Sequence, residues 1–511
     1  MLKHIRGLAL LLGLPVALTA GAAVPASAAP AGTQLRLVAA STSVTLERWP
    51  GGAGVFLDLG LNIVAGARPF EIRVKRDAYR NPVVATQLVR QGGRDRHVRL
   101  PAGLVTGFAG FEAFYHLTIT DAAGRTVLDG DERYCPNMPG ARTRPDAPDL
   151  SPYPEGCPTN PFTLGAVWGI QAGWSGPLSS YDRPPIDLAP GAYTAVVSVN
   201  QRYRDAFGIP ADAAAATVAL TVRDGEIMPW PWAVGTPGGA GTSSPLASLA
   251  AGGAAAGRRA VTTSAPSPAS RPTGTPTVPS GPKPDLRSLP AWNIQVIPPD
   301  PDRPPVQGDH LSFNATVWTA GDSPLVVDGF RRPAEDIMDA YQYFYDSGGR
   351  QIGYAPVGTM EWDSRDGHSH WHFTDFARYR LLDASMQQAV RSGKEAFCLA
   401  NTDAVDYTLP RANWRPRSTD LHTACGSSSS IAVREVLDIG SGDTYAQFLP
   451  GQSFDITEVP NGTYYVEVTA NPDGRLYEQS TANNTSLRRV ILGGAPGART
   501  VQVPPHEGID G

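Results

Sequence analysis

The chain has 511 residues, among them 54 glycines and 48 prolines, and only 18% of its residues are charged. This length allows two or three domains with their own cores, and the composition is typical of a loop-rich, mainly β protein. The formal net charge of −5 and the pI near 6.0 argue against a nucleic-acid-binding protein, because such proteins present a basic surface.

Residues 1–28 have the pattern of a secretory signal peptide. Lys3 and Arg6 form a basic start, residues 8–23 are mostly apolar, and Ala26-Ser27-Ala28 is an A-x-A cleavage site. No second apolar run is long enough to span a bilayer. We therefore expect a secreted, extracellular protein whose mature chain begins near residue 29 and has no membrane span.

Four cysteines fit this exported compartment, where disulfides form and persist. Proximity in the sequence favours the pairs Cys135 with Cys157 and Cys398 with Cys425. Four cysteines allow three connectivities, so the pairing stays open at this point.

A low-complexity segment at residues 226–283 divides the chain. Gly, Ala, Ser, Thr and Pro dominate it, and this composition predicts a flexible linker because it offers little apolar surface to bury. On either side, short apolar runs punctuated by Gly and Pro predict two β-sandwich-like modules, at residues 29–225 and 284–494, with a tail at 495–511. The predicted fold class is therefore mainly β.

The two modules share similar segments in the same order, which we interpret as a divergent duplication. The matched segments are 64–69 with 319–324, 115–137 with 379–401, 186–188 with 454–456, 191–193 with 462–464, and Asn200 with Asn471. The alternative is that strands of β-sandwiches resemble one another generally, since alternation and turn residues recur in all of them. If the first module is a copy, it has lost the histidines described next, because residues 106–111 stand in their place.

Three of the nine histidines, His368, His370 and His372, alternate within five residues. In a β-strand they share one face, and Trp371 and Phe373 take the opposite face as core anchors. Three imidazoles suit a metal such as Cu(II) or Zn(II). A straight strand would separate the outer two by roughly 13 Å, so all three can bind one ion only if the strand bends. The alternative is a polar strand face with a chance run of histidines.

Residues 285–492 resemble the catalytic domain of the lysyl oxidase family, whose members are copper amine oxidases with a quinone cofactor made from their own side chains. Four ordered segments carry the resemblance. They are E-W at 361–362 with H-x-H-x-H at 368–372 and F-A-R-Y-R-L-L-D-A at 376–384; G-K-E-A-F-C-L at 393–399; D-T-Y at 443–445 with D-I-T at 455–457 and G-T-Y at 462–464; and N-P at 471–472 with Glu478 and Asn483-Asn484.

The resemblance implies a role for each residue at a matching position. The copper ligands of the family correspond to His368, His370 and His372. The family's lysine tyrosylquinone, a cross-linked cofactor, would form from Lys394 and Tyr445. On the residues alone, Lys394 could equally be a surface lysine and Tyr445 a core tyrosine, and their joint spacing with the histidines is what favours the cofactor.

A calcium site of the family would map onto Asp285, the carbonyl of Arg287, Asn483 and Asn484. Ser480 stands where the family has a further aspartate, which weakens this part of the resemblance. The family's cysteine within the histidine segment is also absent, and residues 406–421 do not follow the vertebrate pattern. That loop leaves the choice of substrate open.

The implied activity is oxidation of primary amines, peptidyl lysine among them, by O₂ to aldehydes, with release of hydrogen peroxide and ammonia. This chemistry needs a carboxylate base within hydrogen-bond reach of the substrate's α-proton. Asp375, Asp438 and Asp443 are candidates that the sequence does not rank.

Two other functions remain open. The chain could be a non-catalytic, secreted copper-binding β-sandwich, which would not need Lys394 and Tyr445. It could also be a cupin-like metalloenzyme with His422 as a distant ligand, although the residues around His422 do not follow that pattern. For the N-terminal module we expect a binding or spacer role toward a polymeric substrate or the cell wall.

Overall fold

The computed structural model describes residues 35–48, 54–178, 184–225, 271–297, 308–333, 335–364, 369–393, 396–416, 425–447 and 453–511. The predicted signal peptide and residues 226–270 of the predicted linker lie outside these ranges. Strands dominate within them, which confirms the mainly β, two-module architecture. None of the helices in these ranges has the length and hydrophobicity that a membrane span requires.

The N-terminal module is built from short strands and one short helix. Its elements are β1 Leu35–Ala39, β2 Ser43–Arg48, β3 Leu61–Ala65, β4 Phe70–Lys75, β5 Val84–Gln91, β6 Arg94–Arg99, β7 Phe111–Asp121, β8 Thr126–Tyr134, β9 Ala141–Arg142, β10 Gly165–Ile170, β11 Trp174–Pro177, β12 Gly191–Val199, α1 Gln201–Phe207, a 3-10 turn at Ala211–Ala213, and β13 Ala215–Asp224. They form sheets in the orders β1-β3-β11-β9, β10-β4-β5-β6 and β2-β13-β12-β7-β8.

The C-terminal module has longer strands. They are β14 Pro284–Ser288, β15 Trp292–Ile297, β16 His310–Gly321, β17 Leu325–Arg331, β18 Ile337–Tyr345, β19 Gln351–Asp363, β20 His370–Phe373, β21 Ala377–Asp383, β22 Gln388–Arg391, β23 Asp403–Ala404, β24 Ala432–Leu437, β25 Ser441–Ala446, β26 Phe454–Asp455, β27 Gly462–Ala470, β28 Thr485–Ala495 and β29 Ala498–Gln502. Their sheets have the orders β14-β16-β25-β23, β20-β19-β18-β17-β24 and β22-β21-β27-β28-β29, and β15 and β26 also pair with β16.

The strand orders of the two modules correspond sheet by sheet. The order β1-β3-β11-β9 matches β14-β16-β25-β23, β10-β4-β5-β6 matches β24-β17-β18-β19, and β13-β12-β7-β8 matches β28-β27-β21-β22. Local contacts repeat as well: the hydroxyl of Tyr193 donates to the Ala189 carbonyl, and that of Tyr464 donates to the Pro460 carbonyl, each at 2.8 Å. This correspondence supports the interpretation of the modules as copies.

Both disulfides that sequence proximity favours are present, Cys135–Cys157 and Cys398–Cys425. Each lies beside an equivalent asparagine. The Asn137 amide donates to the Val167 carbonyl at 2.9 Å, and the Asn401 amide donates to the Val436 carbonyl at 3.2 Å. Each disulfide therefore closes the same part of the fold in its own module.

The modules dock directly on each other through a small shared core. Its buried members come from both modules and are Phe162, Leu289, Trp318, Ala320 and Val405. The backbone continues the contact: Leu164 N–H donates to the Val405 carbonyl at 2.7 Å, and Tyr407 N–H donates to the Gly165 carbonyl at 2.9 Å. The sequence predicted only a flexible connection, because no local pattern shows which buried side chains belong to an interface.

Part of the predicted linker also packs against the C-terminal module. Arg271 forms an ion pair with Asp339, Thr277 forms a β-bridge with Tyr354, and the Tyr354 hydroxyl donates to the Gly274 carbonyl at 2.8 Å. The expectation that residues 271–283 belong to a flexible linker is therefore corrected. The physical reason is that a neighbouring sheet supplies hydrogen bonds that the segment cannot make alone.

A buried ion pair lies between β17 and β24. The Arg434 guanidinium binds the Asp328 carboxylate through Nε–Oδ1 at 2.6 Å and Nη2–Oδ2 at 2.8 Å, and both side chains are at most 2% exposed. Burial raises the pKa of Asp328, and Arg434 opposes that shift. Because each side chain carries the charge opposite to the other and both are buried, removing one charge alone would have a large cost.

We therefore predict that Asp328→Asn lowers the free energy of unfolding by about 3–5 kcal/mol, since it leaves the Arg434 charge buried without its partner. Urea unfolding measures this. The matched control is Asp336→Asn, directly before β18, because the Asp336 side chain is 72% exposed and the loss of its pair with Arg331 should change stability little. Equal effects of the two substitutions would contradict this account of the pair.

The docked interface generates a second prediction. A Cβ on Gly165 would lie 2.0 Å from Asp406 Oδ1, an atom that accepts a 3.0 Å hydrogen bond from the Thr408 backbone and cannot easily move away. Gly165→Ala should therefore destabilise the docked modules by about 1–3 kcal/mol, which urea unfolding would detect. Gly107→Ala is the control, because nothing lies within 4 Å of its new methyl group. Equal stability of the two variants would show that the interface is loose.

Candidate functional site

The histidine segment enters the sheet through a sharp change of backbone direction. Ser369 has φ of 41°, a left-handed conformation that is unusual for a non-glycine residue, and β20 begins at the next residue. The chain is thus bent between the positions of His368 and His370, where the sequence required a bend for a shared ion. His368 itself lies outside the described residues.

His370 and His372 project from the same face of β20. Their ring centroids are 4.7 Å apart, with the planes at 70°. His370 is half-buried and His372 is buried. Asp363 Oδ2 lies 3.3 Å from His372 Nδ1, so a metal would bind this ring through Nε2. Within the described ranges no group of three His, Cys, Asp or Glu residues could hold a metal ion.

The opposite face of β20 is anchored in the core, as the alternation predicts. Trp371 is fully buried, and its indole N–H donates to the Ser427 carbonyl at 2.9 Å. Phe373 is also buried. The two histidines are therefore presented by a strand that cannot easily rotate.

Tyr445 lies on β25, paired with Ala315 of β16. Its ring packs edge-on against Phe397, with centroids 4.9 Å apart, and its hydroxyl donates to the Cys398 carbonyl. Burial raises the pKa of the phenol well above its ordinary value, and nearby Asp443 adds to that shift. Lys394, the predicted partner of Tyr445, lies outside the described residues.

One short segment, residues 397–399, connects Tyr445 with the histidine strand. Phe397 and Phe373 exchange backbone hydrogen bonds of 2.8 and 2.9 Å, which attaches the segment to the end of β20. The disulfide then runs from Cys398 to Cys425, whose carbonyl accepts the Trp371 N–H at 2.9 Å. The two candidate ligands and the tyrosine are thus held by the same structural unit.

The three candidate bases have different surroundings. Asp443 lies two residues from Tyr445 on β25, on the same strand face, and is buried. Asp375 forms an ion pair with Arg475 at 2.9 Å. Asp438 accepts a hydrogen bond from the Asn413 amide at 3.2 Å. Of the three, Asp443 is the one whose charge acts on Tyr445.

The residues of the predicted calcium site form one hydrogen-bonded cluster. The Asp285 carboxylate accepts from Arg287 at 2.6 Å and from the Asn483 amide at 3.1 Å. The Asn484 amide donates to Glu478 at 2.8 Å. The side-chain oxygens of Asn483 and Asn484 are buried with no hydrogen-bond partner among the described residues. Oxygen donors of this kind fit a hard cation such as Ca²⁺.

Sequence reasoning gave no role in these sites to three acidic residues, although it named Glu478 within the fourth segment of the resemblance. Asp363 contacts His372, Glu478 joins the hydrogen-bonded cluster of the predicted calcium site, and Glu435 is fully buried on β24. Glu435 had a signal in the sequence, because it and Arg434 are the two charged residues of a strand whose other members are apolar. His422, the alternative ligand, lies outside the described residues.

Comparison with known proteins places this region in a family. The sequence model of the lysyl oxidase family matches residues 349–496. Protein-lysine 6-oxidase of Rattus norvegicus is 36% identical over 125 residues, which cover 24% of this chain and 26% of the relative. The Sus scrofa protein of the same name is 35% identical over 125 residues, 24% of this chain and 44% of the relative.

A further relative is lysyl oxidase homolog 1 of Homo sapiens, 34% identical over 131 residues, which cover 25% of this chain and 20% of that protein. The chain thus spans less than half the length of these curated relatives. The matched region contains the histidine strand, the disulfide and Tyr445. Residues 349–496, in the C-terminal module, therefore belong to the lysyl oxidase family.

Proposed function

We propose that the chain is a secreted copper-dependent amine oxidase that acts on primary amines, including lysine side chains of proteins. The overall reaction would convert RCH₂NH₂, O₂ and water to RCHO, ammonia and hydrogen peroxide. The observation that carries the proposal is the attachment of the His370–His372 strand and of Tyr445 to the same segment, residues 397–399. A metal-binding sandwich without catalysis would not need this connection.

Copper fits the donor set of the site. His370 and His372 would supply two neutral imidazoles, and His368 is proposed as the third ligand. The contact of Asp363 with His372 Nδ1 supports this role, because metal-binding histidines commonly use their second nitrogen to hold an acidic partner.

Tyr445 and Lys394 are proposed as the precursors of a lysine tyrosylquinone. When bound, the copper and the quinone would together supply the two-electron oxidation of the amine and the return of those electrons to O₂. Phe397 and the Cys398 carbonyl would fix the plane and the hydroxyl direction of the Tyr445 ring.

Asp443 is the proposed base that removes the α-proton of the substrate. It is buried on the same strand face as Tyr445, and a proton acceptor must lie within hydrogen-bond reach of the reacting carbon's proton. Among the three candidates, Asp443 is the one whose charge acts on the Tyr445 phenol.

We also propose a structural calcium site at Asp285, the carbonyl of Arg287, Asn483 and Asn484, with Glu478 as a further ligand. The unpartnered buried oxygens of the two asparagines support it. Such an ion would connect β14 with the turn before β28 and would therefore stabilise that contact.

The N-terminal module is proposed to be a copy without metal chemistry. The pair Phe111–Tyr134 corresponds to the pair Phe373–Phe397, which aligns Gly110 with His372. Its role toward a polymer or the cell wall stays a prediction. The second candidate function is a non-catalytic β-sandwich. The N-terminal module illustrates it, since this copy has no counterpart of the three histidines.

We expect Tyr445→Phe to abolish quinone absorbance and to reduce amine oxidation by at least about a thousandfold, because the phenol oxygen is required for the cofactor. Copper content should not change, since the imidazoles are intact. Visible spectroscopy with a phenylhydrazine challenge, peroxide release and metal analysis are the measurements. Tyr464→Phe removes an equivalent hydroxyl bond elsewhere in the module and should retain activity. Oxidation by the Tyr445→Phe variant would refute the quinone assignment.

We expect Asp363→Asn to weaken copper binding by about 10- to 100-fold, because the ring of His372 loses its acidic partner. Chelator competition on the metal-free protein measures this affinity. Asp473→Asn serves as the control, since Asp473 pairs with Arg378 away from the histidines. An unchanged affinity for the Asp363 variant would argue against His372 as a copper ligand.

A further inference from the structure

The peptide group between Cys398 and Leu399 is hydrogen-bonded at both ends. Its carbonyl oxygen accepts the Tyr445 hydroxyl, and its N–H donates to Glu435 Oε2 at 3.0 Å. These two bonds belong to one planar unit, so the position of one partner constrains the other. A hydrogen bond at the N–H also polarises the carbonyl and strengthens its own acceptance of a proton donor.

Glu435 has no evident structural reason to be acidic. It is fully buried, and its Oε1 has no hydrogen-bond partner among the described residues. The neighbouring Arg434 cannot compensate it, because adjacent strand residues point to opposite faces and Arg434 binds Asp328. Burial raises the pKa of Glu435 well above its ordinary value, which favours the neutral acid. An apolar residue of the same size would cost less to bury.

The N-terminal module provides an internal comparison. The equivalent asparagines bind the carbonyls of Val167 and Val436, which aligns Ala166 with Glu435. The residue after the cysteine is Pro136, which has no N–H, where the C-terminal module has Leu399. The N-terminal module therefore has neither the carboxyl acceptor nor the backbone N–H donor that form the Glu435–Leu399 hydrogen bond. Its fold forms without this bond.

We propose that Glu435 is a positioning residue for Tyr445, acting through the Cys398–Leu399 peptide as a hydrogen-bond acceptor. This inference rests on the proposed amine oxidase function and adds a residue to it. Glu435 holds the peptide so that its carbonyl fixes the Tyr445 hydroxyl. The phenol then keeps one orientation relative to Phe397 and to the segment that binds the histidine strand.

The test compares three substitutions in the copper-free, full-length protein. Glu435→Gln keeps a side-chain oxygen at the same reach and should preserve the bond to Leu399. Glu435→Met has a similar size without an acceptor, and Glu435→Asp keeps the carboxyl but withdraws it by one methylene. The measured quantity is the hydrogen-exchange rate of the Leu399 backbone amide, which mass spectrometry detects.

We expect Leu399 exchange to rise at least about tenfold in the Met and Asp variants, because a buried N–H loses its acceptor, and to stay within about threefold of the parent in the Gln variant. Glu467→Met is the control for general destabilisation, since Glu467 binds Arg380 on a different sheet. It should leave Leu399 exchange unchanged relative to the rest of the module. If Glu435→Met does not fold, the Asp and Gln variants decide the question.

After copper loading, quinone formation should fall at least about tenfold in the Met and Asp variants and should be retained in the Gln variant. Unchanged Leu399 exchange in the Met or Asp variant, or loss of quinone in the Gln variant alone, would overturn the positioning role. If exchange follows the expected pattern but even the parent protein forms no quinone, the proposed function fails while the hydrogen-bonded arrangement stands.

Discussion

The candidate site depends on the bonds that one three-residue segment makes to its neighbours. Residues 397–399 form a short β-bridge with Phe373, contact Tyr445 and are linked by a disulfide to Cys425. A segment with so few regular backbone pairs would drift without further ties. The disulfide and the two hydrogen bonds of the Cys398–Leu399 peptide fix the position of this segment. The histidine strand and the Tyr445 phenol are therefore held in a fixed position relative to each other.

Much of the fold follows from local patterns. Alternating burial along β3, where Leu61, Ile63 and Ala65 face the core, is the pattern that predicts half-buried strands. The same period of two places His370 and His372 on one face. Proximity in the sequence was enough for both disulfides. The repeated order of similar segments indicated the duplication, which the strand orders then support.

Other features depend on residues far apart in the chain. The docking of Phe162 against Val405 joins positions that no local pattern relates, and the same holds for Glu435 and Leu399. Asp443 is a different case, because its spacing of two from Tyr445 already predicts a shared strand face. The sequence could therefore have ranked it above the other candidate bases once that strand was accepted.

The docked interface has a consequence for the symmetry of the molecule. The N-terminal module contributes the segment before β10, whereas the C-terminal module contributes β23 and β16, which are not the equivalent parts of the fold. Two like units therefore meet through unlike surfaces, a head-to-tail contact rather than a two-fold one. A two-fold contact uses up the same surface on both partners and closes. A head-to-tail contact uses a different surface on each partner, so the contact itself does not limit an assembly of such modules to two units.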